Sequence, residues 1–504
     1  MSQTVEREPG RMQAARREVG LSRRGLLASA GMLAALAAGM RTAKAAPPPA
    51  SADVDPSSLL NRLVRRLTYG ESPEEIALAR TLGYQGYLEY HLNAGAIDDS
   101  AMNTRLAAYA TLPMTYQQML GVADTQVANE CIEAAIIRAA YSKRQFFERM
   151  VEFWTDHFNI EMNGGRLRRL KSIDDRDVIR PHALGNFADM LAASARSPAM
   201  LDYLDNNIST AGNPNENYAR EIMELHTMGA DGGYTQQDVA EVARCFTGWQ
   251  FYNDNSGALS GTFRYNQGQH DTGQKVVLGQ VIPARPAANG MQDGIDVMAI
   301  LLAHPSTARY VSSKLCRWLL GDAVPAGVVD QVAAAFTSTG GDIKSMIRAA
   351  LAPNNLAMAA PKYKRPWHHF ISCLRGAPSA ITSTTTFRTR LSAAGMPRFG
   401  WPTPDGYPDA TDYWVGLIIP RWNFGADLMN SGISGLSIDA GAFFAGLSTA
   451  DQMVEKINQS FYAGEMPAVE RDRIRNYMLP NVPTLTRQRE ALGLAMSSPF
   501  FQWF

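Results

Sequence analysis

The sequence AGNPNENYAREIMELHTMGADGGYTQQDVAEVARCFTGW, which runs from Ala211 to Trp249, contains the clearest helix signals in the chain. Asn213 and Thr235 each stand three positions before an acidic residue, which is the spacing of a capping box at a helix N-terminus. Gly229 lies where the first helix would end, since glycine commonly follows a helix C-terminus. The stretch therefore predicts one helix from Asn213 to Gly229 and a second helix that begins at Thr235.

The first of these helices carries a band of polar side chains. At about 100° per residue, four of them fall within an arc of about 100°: Asn217, Arg220, Glu221 and Glu224. Arg220 is also one turn from Glu216, which allows ion pairs along the helix. Such a band is either a solvated helix face or the floor of a site, where neighbouring carboxylates shift one another's pKa values.

Two further segments place histidine where chemistry is possible. His157 lies in the aromatic run FWTDHF at 153–158, so it is either a packed core residue or a ligand or base held by a rigid apolar shell. His270 and Asp271, followed by Lys275, lie after a Gly/Ser-rich loop, and loops often carry functional residues.

The rest of the chain favours helices over strands. Strand-like alternation with glycine punctuation is confined to Phe263 to Leu278. We therefore expect a mostly α, multi-helix globular body with a small β-hairpin element near 263–278. The loop from Gly395 to Asp409 holds four prolines and three glycines, and long irregular loops of this kind are often functional. Other helices are predicted after a capping box at Ser72, within 127–160 and 177–195, and near 305–320, 342–352, 365–376, 412–430, 449–462, 467–478 and 485–497.

The N-terminus has the pattern of a targeting segment. Arg23 and Arg24 precede an alanine-rich apolar run, which is similar to a twin-arginine signal; an ordinary secretory signal is the alternative. We assign residues 1–45 to the signal peptide, 46–56 to a proline-rich linker and 57–504 to a large helical domain of one or two lobes. The predicted location is periplasmic or secreted.

Charge and cysteine content exclude several classes of protein. The chain holds 48 basic and 48 acidic residues, and eight basic but only three acidic ones lie in residues 1–45, so the mature chain has a net charge of about −5. This balance argues against nucleic acid or an anionic membrane as partner. No later run is long and apolar enough to span a bilayer. The four cysteines show no metal-binding spacing, so buried thiols are expected, with one or two disulfides as the alternative.

The polar block resembles a known bacterial family. NPNENYARE, LHTMG and FTGW, with FW-DHF before them and HD-G-K after them, are similar to the exported family catalogued as the domain of unknown function numbered eighteen hundred. The similarity covers essentially the whole mature chain, and its other matching stretches are Leu60 to Gly70, His182 to Asn206, His304 to Leu315 and Ser497 to Gln502. The resemblance implies export and a gene neighbour that resembles alkaline-phosphatase-type hydrolases, but it implies no reaction.

These patterns lead to one hypothesis and one alternative. The hypothesis is an exported enzyme that cleaves a periplasmic or extracellular substrate, either a glycan or a peptide-like polymer. The alternative is a non-catalytic partner or scaffold of a co-exported hydrolase. The candidate catalytic residues are Glu221, Glu224, Arg220, His157, His226, His270 and Asp271, and the candidate substrate-binding residues are Asn217, Glu216, Lys275 and Trp249.

The sequence leaves the cofactor open. A divalent metal would satisfy two carboxylates and two imidazoles at once. The alternative is a hydrogen-bonded network without a metal, in which Arg220 pairs with the carboxylates. The lack of a metal-binding spacing in the sequence favours this alternative.

We predict that replacing Arg23 and Arg24 with lysine strands folded precursor in the cytoplasm, because the twin-arginine route reads the paired guanidinium groups. Fractionation of cells that express wild-type and doubly substituted chains measures this. Unchanged export of the wild-type chain in a strain without the twin-arginine translocase would contradict the predicted route.

Overall fold

The computed structural model describes residues 56–479 and 482–504. By their backbone contacts the described residues all belong to one unit. The predicted signal peptide, and all of the predicted linker except Pro56, lie outside the described residues.

The described chain is dominated by α-helices, which confirms the predicted fold class. Two helices run on through short π-helical turns, Asp175–Ile179 and Glu224–Met228. The α-helices are Pro56–Leu67, Pro73–Leu92, Ser100–Leu106, Tyr116–Met119, Asp124–Tyr141, Gln145–His157, Gly165–Asp174, Arg180–His182, Phe187–Ala195, Pro198–Tyr203, Glu216–Met223, Gln236–Cys245, Met291–Ala303, Pro305–Leu320, Ala326–Thr339, Ile343–Ala350, Pro353–Met358, Pro366–Arg375, Thr385–Ala393, Thr411–Trp414, Ile418–Met429, Ala440–Phe443, Ala450–Tyr462, Ala468–Met478 and Leu485–Ser497.

The strands form three small antiparallel pairs. They are Trp249–Phe251 with Phe263–Tyr265, Lys275–Val277 with Gln280–Ile282, and Ser379–Ile381 with Leu436–Ile438. The region 263–278 thus contains two strands, as the hairpin prediction required, but they do not pair with each other. Leu278 and Gly279 both have positive φ, 49° and 76°, so they form a two-residue turn that pairs the second strand with the segment after it.

Local side-chain bonds explain where helix boundaries differ from the sequence patterns. Asn213 closes a backbone turn with Thr210, so the helix begins after Asn215, whose side chain accepts a hydrogen bond from the Asn217 amide. The predicted 127–160 helix is interrupted after Tyr141, where the Gln145 amide group caps freed carbonyls. The Thr235 capping box is confirmed.

Two large apolar cores support these helices. The first is built almost entirely from buried side chains between Leu63 and Leu356. The second gathers mainly buried side chains between Tyr363 and Phe501. Helix Gln145–His157 contributes to the first core, and helix Pro366–Arg375 contributes to the second.

A buried ionic cluster joins those two helices. The Arg365 guanidinium donates to Glu152 and, at 2.6 Å, to Asp156, and all three residues are almost fully buried. The Tyr69 hydroxyl donates to the other Glu152 oxygen at 2.8 Å. The Trp318 ring lies 4.6 Å from the guanidinium carbon. Burying an isolated charge costs free energy. Here the bonds among Arg365, Glu152, Asp156 and Tyr69 offset that cost, and they fix the distance between the helices.

The four cysteines, Cys131, Cys245, Cys316 and Cys373, are buried and free, in agreement with the predicted buried thiols. Burial raises the pKa of each thiol, to about 12 for Cys131, Cys316 and Cys373. Within the described residues, no helix combines the length and the apolar character needed to cross a bilayer.

We predict that Arg365→Met lowers the free energy of unfolding by about 3–5 kcal/mol, because it leaves two buried carboxylates without their cation. Urea unfolding of the purified protein measures this. The matched control is Arg309→Met, which breaks the exposed pair with Asp330 and should cost no more than about 1 kcal/mol. Equal losses in the two variants would show that the Arg365 cluster does not hold the helices together.

Candidate functional site

The helix that carries the polar band ends in a π turn. Glu216–Met223 continues into Glu224–Met228, where the Thr227 hydroxyl donates to the Ile222 carbonyl at 2.5 Å. The segment stops at Gly229, whose φ is +82°, and an added Cβ there would lie 2.7 Å from the Tyr310 ring. This close approach packs the end of the segment against helix Pro305–Leu320. Single π turns inside helices are frequent at functional sites.

Glu221 is the most perturbed carboxyl group on this helix. It is half-buried, and it makes no hydrogen bond or ion pair with any described residue. Burial and the nearby charge of Glu224 raise its pKa to about 7, against the opposing effect of Arg220. A carboxyl group in this state is partly protonated at neutral pH, so it can donate a proton.

Glu224 lies one turn away and is held differently. Its carboxylate accepts a hydrogen bond from the Tyr234 hydroxyl at 2.8 Å. Burial, followed by this bond, raises the pKa of Tyr234. Burial and the charge of Glu224 also raise the pKa of Tyr310, to about 12. The two glutamates therefore differ. Glu221 has no hydrogen-bond partner and a raised pKa, whereas Glu224 is held by the Tyr234 hydroxyl.

A third carboxylate comes from the Gly- and Pro-rich loop. Asp405 accepts hydrogen bonds from the Trp401 indole at 2.8 Å and from the Thr403 hydroxyl at 2.5 Å. Its charge contributes to the raised pKa values of Glu221 and Tyr310. We call Glu221, Glu224 and Asp405 the carboxylate site.

The loop is fastened to the body through its backbone. The Asn159 amide donates to the carbonyls of Trp401 and Thr403 at 3.0 and 2.7 Å. The Tyr203 hydroxyl donates to the Pro402 carbonyl at 2.9 Å. Gly406, at φ +76°, lies so close to the Asp156 carbonyl that a side chain would collide with it. These contacts hold the loop backbone on both sides of Asp405.

Lys314 links the carboxylate site to the histidines. It lies on helix Pro305–Leu320, with its ammonium nitrogen 5.6 Å from the Tyr310 ring, and it makes no hydrogen bond with a described residue. Burial lowers its pKa to about 8, opposed by the charges of Asp156 and Asp405. Its own charge lowers the pKa of both His157 and His226.

His157 and His226 lie side by side in the core, with ring centres 6.3 Å apart. His157 Nε2 donates to the His226 carbonyl at 3.1 Å, which fixes the proton on that nitrogen. Burial lowers the pKa of His157 far below its usual range and that of His226 to about 3. Both rings are therefore neutral at physiological pH, and their burial among aromatic rings supports a packing role.

The remaining members of the polar band face solvent. Arg220 bonds to Glu216 at 3.3 Å and to Gln236 at 2.8 Å, and both members of the ion pair are exposed. Asn217 is exposed and donates to Asp205 at 3.3 Å. The band is thus divided: Asn217 and Arg220 form a solvated side, whereas Glu221 and Glu224 are half-buried.

His270, Asp271 and Lys275 belong to a separate ionic network around Asp293. Fully buried Asp293 accepts from His270 Nε2 at 3.3 Å, from Lys275 at 2.6 Å and from Arg285. Burial alone would raise the pKa of Asp293, but these three donors hold it below its usual value. His270 Nδ1 lies 2.9 Å from the Thr247 carbonyl, so both of its ring nitrogens have partners.

Asp271 is bound on the same network by two hydrogen bonds from Arg244, at 2.8 and 3.1 Å. No hydrogen bond, ion pair or ring contact among the described residues joins His270 or Asp271 to Glu221 or His157. The geometry therefore supports a structural role for this network. That His157, Glu221 and His270 line one pocket stays a prediction.

Trp249, a predicted substrate-binding residue, has no exposed surface and packs against Phe246 and Phe263. Lys275 is likewise buried. Neither side chain is open to a ligand in this arrangement. As for metal binding, no group of three or more His, Cys, Asp or Glu residues within 56–479 and 482–504 is placed to hold an ion.

Sequence patterns missed several residues of the site, namely Trp401, Asp405, Tyr234, Tyr310 and Lys314. The composition of the loop from Gly395 to Asp409 indicated a functional loop, but it did not single out Trp401 or Asp405 within it. The last two lie in the stretch His304 to Leu315, which the family resemblance had marked.

The fold and the site define a mostly helical protein. A π-turned helix carries Glu221 and Glu224, and a tethered loop carries Asp405, whose charge acts on Glu221. A family model described as "Protein of unknown function (DUF1800)" matches residues 62–503, so the chain belongs to that family. This match confirms the resemblance seen in the sequence. Comparison with curated proteins finds no match, and comparison with solved structures finds none.

We predict that Glu221→Gln changes how stability depends on pH. The pKa of Glu221 is about 7 in the folded chain, above its ordinary value of 4.5, so the folded state holds this proton more tightly than the unfolded state. Its stabilising effect is complete below pH 4.5 and is lost as pH rises through 7. The wild type should therefore lose stability across this window relative to Glu221→Gln.

Thermal unfolding from pH 4 to 8.5 measures this difference. Glu216→Gln is the matched control, since it removes an exposed carboxylate from the same helix. Parallel pH curves for wild type and Glu221→Gln would show that Glu221 is an ordinary surface carboxylate.

Proposed function

We propose that the protein is an exported glycan-cleaving hydrolase that uses Glu221 and Glu224. The observation that carries this proposal is the difference between two carboxyl groups one helical turn apart. Glu221 has a pKa of about 7 and no bonding partner, whereas Glu224 is held by Tyr234. Glycoside hydrolysis needs one carboxylic acid that gives a proton and one carboxylate that takes one or attacks.

In the proposed reaction, Glu221 gives its proton to the oxygen of the glycosidic bond. A water molecule bonds to the sugar carbon as the carbon–oxygen bond to the leaving sugar breaks. Glu224 takes the proton released by that water. One proton leaves Glu221 and one reaches Glu224, so the pair returns to its starting state when a proton is exchanged with solvent.

The loop beside the two glutamates supports a sugar substrate. Trp401 is partly exposed, and its ring orientation is fixed by the bond to Asp405. Tyr407 lies 5.0 Å from the Trp401 ring and Tyr413, which is exposed, lies 6.0 Å from it. Rigid aromatic faces with a few placed polar groups suit the apolar faces of sugar rings. These features favour the glycan over the peptide-like polymer.

The twin-arginine pattern at Arg23 and Arg24 supports a substrate outside the cytoplasm. This route exports proteins that are already folded, which is consistent with four buried cysteines that form no disulfide.

A scaffold function is the second candidate. Three exposed apolar side chains, Tyr413, Val415 and Ile419, lie within seven residues and would suit a contact with a co-exported hydrolase. A scaffold has no need for a proton-holding carboxyl group, so the test of catalysis separates the two candidates.

We expect Glu221→Gln and Glu224→Gln each to lower the rate of glycan cleavage by about 10²–10⁴-fold, the usual contribution of a general acid or base. The assay is the release of new reducing ends from bacterial envelope and extracellular polysaccharides. Asp330→Asn, which removes an exposed carboxylate paired with Arg309, should keep wild-type activity. Trp401→Ala should raise KM more than it lowers kcat.

Two outcomes would overturn the proposal. One is cleavage at wild-type rate by both glutamine variants. The other is an absence of reducing ends from every polysaccharide while the protein binds its co-exported neighbour, which would establish the scaffold. Release of amines from a peptide polymer, lost in the same variants, would replace the glycan with a peptide substrate.

A further inference from the structure

Two adjoining cavities lie between helix Ser100–Leu106 and helix Asp124–Tyr141. Their volumes are about 490 and 380 Å³, within the usual range for small-molecule sites. They share three lining residues, Asn103, Leu106 and Arg138, so they form one continuous groove. No residue of the carboxylate site lines either cavity.

The first cavity is polar, and most of its charged groups already have hydrogen-bond partners within the protein. Arg180 makes two hydrogen bonds to Glu148. Asp99 accepts from the Ser142 hydroxyl at 2.7 Å, and Asp98 accepts from the Ser100 amide at 3.1 Å. Each of these groups thus has a hydrogen-bond partner within the protein.

Arg144 has such a partner as well, because its guanidinium donates twice to the Ile97 carbonyl, at 3.1 and 2.9 Å. Arg138 is different. Its closest carboxylate oxygen, on Asp175, is 3.9 Å away, and its guanidinium makes no hydrogen bond within the described chain. Burial and the positive charge of Arg180 lower the pKa of Arg138. A guanidinium with free donors therefore faces the junction of the two cavities.

The second cavity is mainly apolar. Its lining, besides the three shared residues, is Ala107, Tyr109, Ala110, Leu112 and Pro113. The rim is held in place by Arg176, which donates to the carbonyls of Leu112 and Met114 at 3.0 and 2.7 Å. An apolar channel thus extends from a guanidinium that has one long ion pair, with Asp175 at 3.9 Å, and no hydrogen bond within the described chain.

We propose that this groove binds an amphiphilic carboxylate, with its head on Arg138 and its apolar body along Leu106 to Pro113. A guanidinium binds a carboxylate through two parallel hydrogen bonds, which matches the unused donors of Arg138. An apolar body shields this charge pair from water and gains free energy by burial. The bound group is an acyl chain or an aromatic acid, since both share this chemistry.

The test is calorimetric titration of the purified mature protein with four probes. Octanoate carries head and chain, acetate carries only the head, 1-octanol only the chain, and 3-phenylpropionate replaces the chain with an aromatic ring. We expect saturable one-to-one binding of octanoate or 3-phenylpropionate, at least tenfold tighter than acetate or 1-octanol. The tighter of the two acids identifies the class of ligand.

Variants locate the head group. Arg138→Met should weaken binding of the tighter acid at least tenfold and leave 1-octanol unchanged. Because Arg138→Met also removes the cation 3.9 Å from buried Asp175, Arg138→Lys is the second variant. It keeps the charge but loses the planar fork, so it should also weaken binding of the acid. Arg168→Met, which removes an arginine paired with Asp124 outside the groove, should bind as the wild type does.

The proposal fails if 1-octanol binds as tightly as octanoate, since the cation would then have no role. It also fails if Arg138→Met binds both acids as the wild type does, or if neither acid binds at millimolar concentration.

Discussion

The buried fork of Arg365 on Glu152 and Asp156 is the interaction on which the arrangement of the site depends. It joins the segment that leads into the second core to helix Gln145–His157 of the first core. The same Asp156 offers its backbone carbonyl to the close contact with Gly406. One ionic cluster therefore sets both the separation of the cores and the path of the loop that carries the third carboxylate.

Burial, more than sequence position, separates the chemistry of similar side chains in this protein. Glu216 and Glu221 lie on the same helix, yet only Glu221 is turned inward, and its pKa reaches about 7. His226 follows within the same segment but is sealed completely, which lowers its pKa to about 3. Intermediate burial is what leaves a group able to exchange a proton near neutral pH.

The sequence specified the helices well where apolar periodicity was strong, as at 305–320 and 449–462, because those helices bury one main face. It also selected Glu221 and Glu224. It could not divide the polar band into a half-buried and a solvated side, since burial depends on the tertiary fold. It could not select Asp405 either, because the loop is placed by long-range bonds such as that of Tyr203 to Pro402.

The tethers of the Trp401–Gly406 loop have a consequence for how the family can diversify. Asn159 and Tyr203 hold the loop through its carbonyl oxygens, which every amino acid possesses. Side chains on the loop can therefore be exchanged without releasing the backbone, except at Gly406, where there is no room for one. Point mutations can therefore change the surface that this loop presents while the path of its backbone stays constant.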